Sequence, residues 1–114
     1  MSNLRGAFQK GYSDITPIQA EQRIKETNPL VVDVREPNEY AAGHIKDSVL
    51  IPLGQVGMRI DELGPKEGEI ILVCHSGGRS SYAANMLAAQ GFTNLSNIIG
   101  GTMAWAREGL PLYK

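Results

Sequence analysis

Apolar residues along the chain gather in short runs separated by stretches with helical spacing. Leu30-Val31-Val32-Asp33-Val34, Val49-Leu50-Ile51, Ile70-Ile71-Leu72-Val73 and a segment near Leu95–Ile99 are brief and largely β-branched. Such runs predict strands buried on both faces. A further short strand, or part of an arm, is expected near Tyr12–Ile15. Between the runs lie helix signals. Thr16-Pro17-Ile18-Gln19 combines a capping threonine, a proline at the first helical position and a glutamine that completes a capping box. Ala20 and Ile24 continue one apolar face to about Thr27, where Asn28-Pro29 stops it. Residues 36–48 read as a loop with one helical turn around Asn38–Ala41. Val56, Ile60 and Leu63 fall at i, i+4 and i+7, which predicts a short amphipathic helix over Gln55–Leu63. Gly64-Pro65-Lys66-Glu67-Gly68 is a turn cluster. A helix opening at Ser80 puts Tyr82, Ala83, Met86 and Leu87 on one face and ends at Gly91. A last helix, about Thr102–Glu108, is closed by Gly109 and Pro111.

Buried strands alternating with amphipathic helices predict an α/β domain with a mostly parallel sheet. With 114 residues there is room for one domain. We expect residues 1–14 to form an N-terminal arm or first strand and residues 15–114 to form the domain. Eleven Lys and Arg against twelve Asp and Glu leave a net charge of −1, so there is no basic excess to neutralise a nucleic-acid backbone. No apolar run reaches the roughly 18 residues a membrane helix needs. A single cysteine excludes an internal disulfide. The expected setting is the cytoplasm, where a lone thiol stays reduced.

That cysteine carries the candidate chemistry. In parallel sheets ligands bind beyond the carboxyl ends of strands, where helices begin. Val73-Cys74-His75-Ser76-Gly77-Gly78-Arg79-Ser80 lies there. Gly77 and Gly78 permit a tight curve whose backbone N–H groups converge as a nest for an anion. The following helix adds the positive end of its dipole, and Arg79 adds a full charge. A thiol at that focus is expected to react as thiolate. A lone cysteine on a strand is otherwise most often a small core hydrophobe. Here it stands at the strand's end, and the Gly-Gly-Arg-Ser that follows has no packing purpose.

Three groups of residues resemble one family. Asp33-Val34-Arg35-Glu36, Glu39-Tyr40, Gly43-His44-Ile45 and Ile51-Pro52 resemble the first signature of the rhodanese domain. Cys74 through Ser80 resembles its active-site loop. Gly100-Gly101, Trp105 and Gly109-Leu110-Pro111 are similar to its C-terminal pattern. The resemblance runs in order from about Ile15 to Leu112 and implies a single rhodanese-like domain, a mostly parallel five-stranded sheet with helices on both faces. It implies sulfur transfer: Cys74 takes a sulfane sulfur from a donor such as thiosulfate, holds it as a persulfide, and passes it to a thiol or to cyanide. The backbone N–H groups of His75, Ser76, Gly77, Gly78 and Arg79 would cradle that anion, as an oxyanion hole does. Related phosphatases place their arginine six positions after the cysteine. Here Arg79 stands five after Cys74, which disfavours a phosphatase or arsenate reductase. Some relatives that use thiosulfate carry two cationic side chains in the loop. This chain has Arg79, with His75 a cation only when protonated. Thiosulfate, a small persulfide and a protein persulfide all stay open as donors, so a persulfide-carrier module loaded by a partner protein is the alternative.

Asp33 and Arg35 follow the first buried strand and are expected on the same rim as Cys74, either supporting the loop or forming an ion pair that pins strand to turn. Ser80 and Ser76 are candidate donors to the persulfide, with Ser80 equally suited to capping the helix. His44 reads better as a hydrogen-bonded structural histidine than as a base. Nothing in the sequence calls for a metal or an organic cofactor.

Overall fold

The computed structural model describes residues 10–114; residues 1–9, most of the expected arm, lie outside that range. Strand β1 (Ser13–Ile15) leads into helix α1 (Pro17–Thr27), β2 (Leu30–Asp33), α2 (Pro37–Ala42), β3 (Val49–Leu50), β4 (Ile70–Val73), α3 (Gly78–Ala89), β5 (Leu95–Ile98) and α4 (Gly101–Arg107). The capping box of α1 is formed: the Gln19 N–H donates to Thr16 Oγ1 at 3.2 Å and the Thr16 N–H to Gln19 Oε1 at 2.9 Å. The five strands lie in the order β1-β5-β4-β2-β3, and every pairing between them is parallel.

Parallel strands need crossovers, and these cover both faces of the sheet. Side chains alternate accordingly. Ile70, Leu72 and Cys74 point with Val32 and Val34 into a core closed by Val56, Leu63, Ala83, Ala84 and Leu87. Ile71 and Val73 point the other way, with Val31, Ile45, Ile98 and Trp105 beneath α1 and α4. All four residues of β4 are buried, because the strand is central and covered on both sides. Cys74 therefore enters the loop on the α3 side of the sheet.

Four expectations are corrected. Val49-Leu50-Ile51 is not a buried strand: β3 is a two-residue edge strand with Val49 40% exposed, and only Ile51 is fully inside. Gln55–Leu63 is not one α-helix but two 3₁₀ turns, Leu53–Met58 and Ile60–Glu62. Gly54 and Gly57 weaken α-helix there. Val56 and Leu63 still reach the core, so the apolar spacing marked the buried face correctly and the helix type wrongly. Residues 37–42 form a full short helix rather than a single turn. The overlooked signal was Pro37 at its start with Glu39 behind it, whose carboxylate accepts the Glu36 N–H at 2.9 Å. Finally, α3 begins at Gly78, two residues before Ser80, and Tyr82 lies on its exposed face at 64%. Its buried face is Ser80, Ala83, Ala84 and Leu87.

A buried ion pair holds the end of β2. Arg35 Nε and Nη2 donate to the Asp33 carboxylate at 2.9 and 2.8 Å, and Nη2 also reaches the Gly43 carbonyl at 2.8 Å. Both residues are almost completely buried, so neither charge has water to fall back on. Arg35→Ala is expected to lower stability by about 3–5 kcal/mol by stranding the Asp33 carboxylate. A denaturant midpoint unchanged from wild type would show that the pair contributes nothing.

Candidate active site

The loop from Cys74 to Gly77 lies at the carboxyl end of β4, the central strand. Its curvature has a backbone cause. Gly77 has φ +108° and caps α3, a conformation side chains with a Cβ rarely adopt. Its N–H donates to Cys74 Sγ at 3.1 Å. The loop is held from behind by the first turn of α4. Thr102 N–H donates to the Cys74 carbonyl at 2.8 Å and Met103 N–H to the His75 carbonyl at 3.1 Å. With those carbonyls drawn toward α4, the N–H groups of Ser76, Gly77 and Ser80 are the ones directed at the sulfur. Gly101 makes this approach possible. A Cβ there would lie 2.3 Å from the Cys74 oxygen and 2.4 Å from the His75 oxygen, and its φ is +60°.

Cys74 is 1% exposed. Burial pushes its thiol up, but the Ser80 hydroxyl and the backbone N–H groups of Ser80, Gly77 and Ser76 together outweigh that, leaving it below the ordinary thiol value. Ser80 Oγ is 3.3 Å from Sγ and 2.5 Å from Asn97 Oδ1. The Asn97 amide is oriented by Asp14, which accepts from Nδ2 at 3.1 Å. With the Gly77 carbonyl also at 3.3 Å, one hydroxyl proton thus has three acceptors within reach. Its contact is shortest to Asn97 and longer to the sulfur. Once the sulfur is an anion, the hydroxyl can turn to it.

Arg79 does not stand free. Its Nη1 and Nη2 bind both oxygens of Glu39, at 2.8 and 2.9 Å, across from α2. This pair draws the Glu39 carboxyl down to about 2, led by the hydrogen bond from Arg79, and raises Arg79 further. His75 and Ser76 are exposed at the mouth, Gly78 opens α3, and Ser80 is wholly buried. As the third residue of α3, Ser80 is not its cap; Gly77 holds that position. Asp33 and Arg35 bind each other and Gly43 rather than the loop. His44 stacks on Tyr40, with centroids 3.7 Å apart, and its Nδ1 lies 2.8 Å from the Tyr40 carbonyl.

Glu39 and Gly101 lie in stretches that carry the family resemblance and Asn97 in none of them, but no local rule ties any of the three to the cysteine loop. Glu39 lies 40 positions from Arg79, Asn97 lies 17 from Ser80, and Gly101 is separated from Cys74 by the whole of α3 and β5. Each acts through a contact that exists only after the strands are side by side.

A buried thiol that receives the Gly77 N–H and lies beside the Ser80 hydroxyl, at the end of a central parallel strand, is an arrangement able to hold an anionic sulfur. The family model of the rhodanese-like domain matches residues 16–108, and the chain belongs to that family. It is 38% identical over 101 residues to a sulfurtransferase of Allochromatium vinosum, covering 88% of this chain and 94% of that one. It is 44% identical over 86 residues to a putative sulfur carrier protein, YrkF, of Bacillus subtilis, covering 75% of this chain but 46% of that one. Among solved structures, a rhodanese-related protein from Thermoplasma volcanium superposes with a TM-score of 0.81 at 29% identity, covering 90% of this chain and 98% of that one.

Two outcomes are expected. Gly101→Ala should cost about 2 kcal/mol or more, since it meets backbone at a positive φ, and should slow alkylation of Cys74 by disturbing the nest. Wild-type stability with wild-type alkylation would refute the role given to that close approach. Ser80→Ala should move the pH midpoint of Cys74 alkylation upward, because the thiolate loses a donor while burial stays. A midpoint that stays put or falls would mean that the hydroxyl serves Asn97 alone.

Proposed function

We propose that this protein is a sulfurtransferase working through a persulfide on Cys74. The observation that carries this is the nest itself: Cys74 Sγ receives the Gly77 N–H at 3.1 Å beside the Ser80 hydroxyl at 3.3 Å, while the Cys74 and His75 carbonyls are bonded to α4. The names borne by the relatives, a sulfurtransferase and a putative sulfur carrier, support sulfur as the group moved.

The steps balance as follows. The Cys74 thiolate attacks the sulfane sulfur of a donor such as thiosulfate. A Cys74 S–S bond forms, the donor's S–S bond breaks, and sulfite leaves with the bonding pair. The persulfide is anionic on its outer sulfur, and the N–H groups of His75 through Arg79 with the Ser80 hydroxyl offset that charge. A nest preformed in the free protein needs no reorganisation when the charge arrives. An acceptor thiolate or cyanide then attacks the outer sulfur, and the Cys74 thiolate departs. A reducing compartment such as the cytoplasm suits a thiol that must return to this state after each turnover.

A second reading is favoured by the Glu39–Arg79 pair. With Arg79 paired, the described residues of the loop offer a dianion no free guanidinium, which suits a carrier loaded by a partner protein's persulfide.

Exposure of the reduced protein to thiosulfate should add one sulfur to its intact mass, cyanide should remove it, and Cys74→Ser should gain nothing. Sulfur retained by Cys74→Ser would sink the assignment of the nucleophile. No mass gain from thiosulfate or a small persulfide, with one sulfur gained from a partner protein's persulfide, would favour the carrier reading.

A further inference from the structure

We propose that Glu39 is a positioning residue that sets the donor preference of the site, holding Arg79 in a closed bidentate pair and so turning the site against doubly charged donors in favour of less charged ones. The inference rests on the sulfurtransferase reading above and goes to the question that reading leaves open, the charge of the donor.

Arg79 is the one Lys or Arg in the loop from Cys74 to Ser80. Both of its terminal nitrogens are engaged by Glu39, and the parallel two-bond arrangement is the strongest geometry a guanidinium and a carboxylate can adopt. The pair contributes no net charge at the mouth. A donor dianion approaching the Cys74 thiolate must then either displace a carboxylate from Arg79 or be held by backbone dipoles alone. Glu39 is itself fixed. It sits in the first turn of α2, behind Pro37, and one of its oxygens accepts the Glu36 N–H at 2.9 Å. Arg35, anchored to buried Asp33, adds a favourable charge that helps keep Glu39 ionised. The carboxylate is therefore held in place from its own helix as well as by Arg79.

Two donors that deliver the same sulfane sulfur with different charge separate this effect from general reactivity. Thiosulfate is a dianion and leaves as sulfite; an arenethiosulfonate is a monoanion and leaves as arenesulfinate. Both place the same persulfide on Cys74. The quantity to measure is the ratio of kcat/KM for thiosulfate to that for the arenethiosulfonate. Glu39→Gln keeps an oxygen for the Glu36 N–H and removes the charge. It should raise this ratio about threefold to tenfold, chiefly through KM for thiosulfate. Glu39→Asp keeps the charge and should leave the ratio near wild type. The rise should shrink toward nothing near 1 M salt, where the screening length is about 3 Å. Circular dichroism establishes that each variant is folded. The wild-type protein supplies a test that needs no variant: its thiosulfate kcat/KM should hold level or rise with added salt, whereas a free Arg79 would make it fall. A ratio that is unchanged or lowered in Glu39→Gln, or a wild-type rate that falls steeply with salt, overturns the proposal. Failure of both donors to load Cys74 in wild type would instead overturn the sulfurtransferase reading, and this inference with it.

Discussion

The site depends on the approach of one backbone to another. Where α4 begins, Gly101 brings the Thr102 and Met103 N–H groups against the carbonyls of Cys74 and His75. A peptide unit is a rigid dipole, so turning its carbonyl one way turns the N–H of the next residue the other. The anion nest at Cys74 is thus the consequence of a contact made on its far side. The same contact joins the first two residues of the cysteine loop to the C-terminal helix. That explains why the double glycine and the cysteine loop belong to one functional unit despite lying far apart in the chain.

Electrostatics around this nest is arranged by pairing rather than by accumulating positive charge. Asp33 and Arg35 cancel each other in the interior and secure the turn at Gly43. Glu39 and Arg79 cancel at the rim. What faces the sulfur among the described residues is a set of N–H dipoles and the hydroxyl that Ser80 shares with Asn97. Dipoles of this kind stabilise a compact anion bonded to the protein, as a persulfide is, without drawing in every anion from solution. A buried thiol can be lowered in this way even though desolvation acts against it.

Sequence periodicity served well wherever one element meets solvent on one side and the core on the other. The capping box of α1, the buried runs of β2 and β4 and the end of α3 near Gly91 are local events, set by residues within a few positions of each other. It served less well for Val49–Ile51 and Gln55–Leu63, where apolar spacing reported burial but could not report whether a strand sits at an edge or whether a helix has room to be α. Tyr82 shows the opposite error, an aromatic on a helix that faces out because the sheet covers the neighbouring stripe.

The sequence by itself determined the class of fold, the family and the nucleophile candidate. Strand runs, helix caps and the Cys74–Ser80 loop are written in contiguous residues and obey local rules of backbone conformation and burial. Only the tertiary structure decided what surrounds the sulfur. That Arg79 is bound to Glu39, that Ser80 answers to Asn97 and Asp14, and that α4 holds the loop open toward Cys74 are relations between residues 17 to 83 positions apart. Charges and hydrogen-bond donors act over a few ångströms, and the distances that matter are set by strand order.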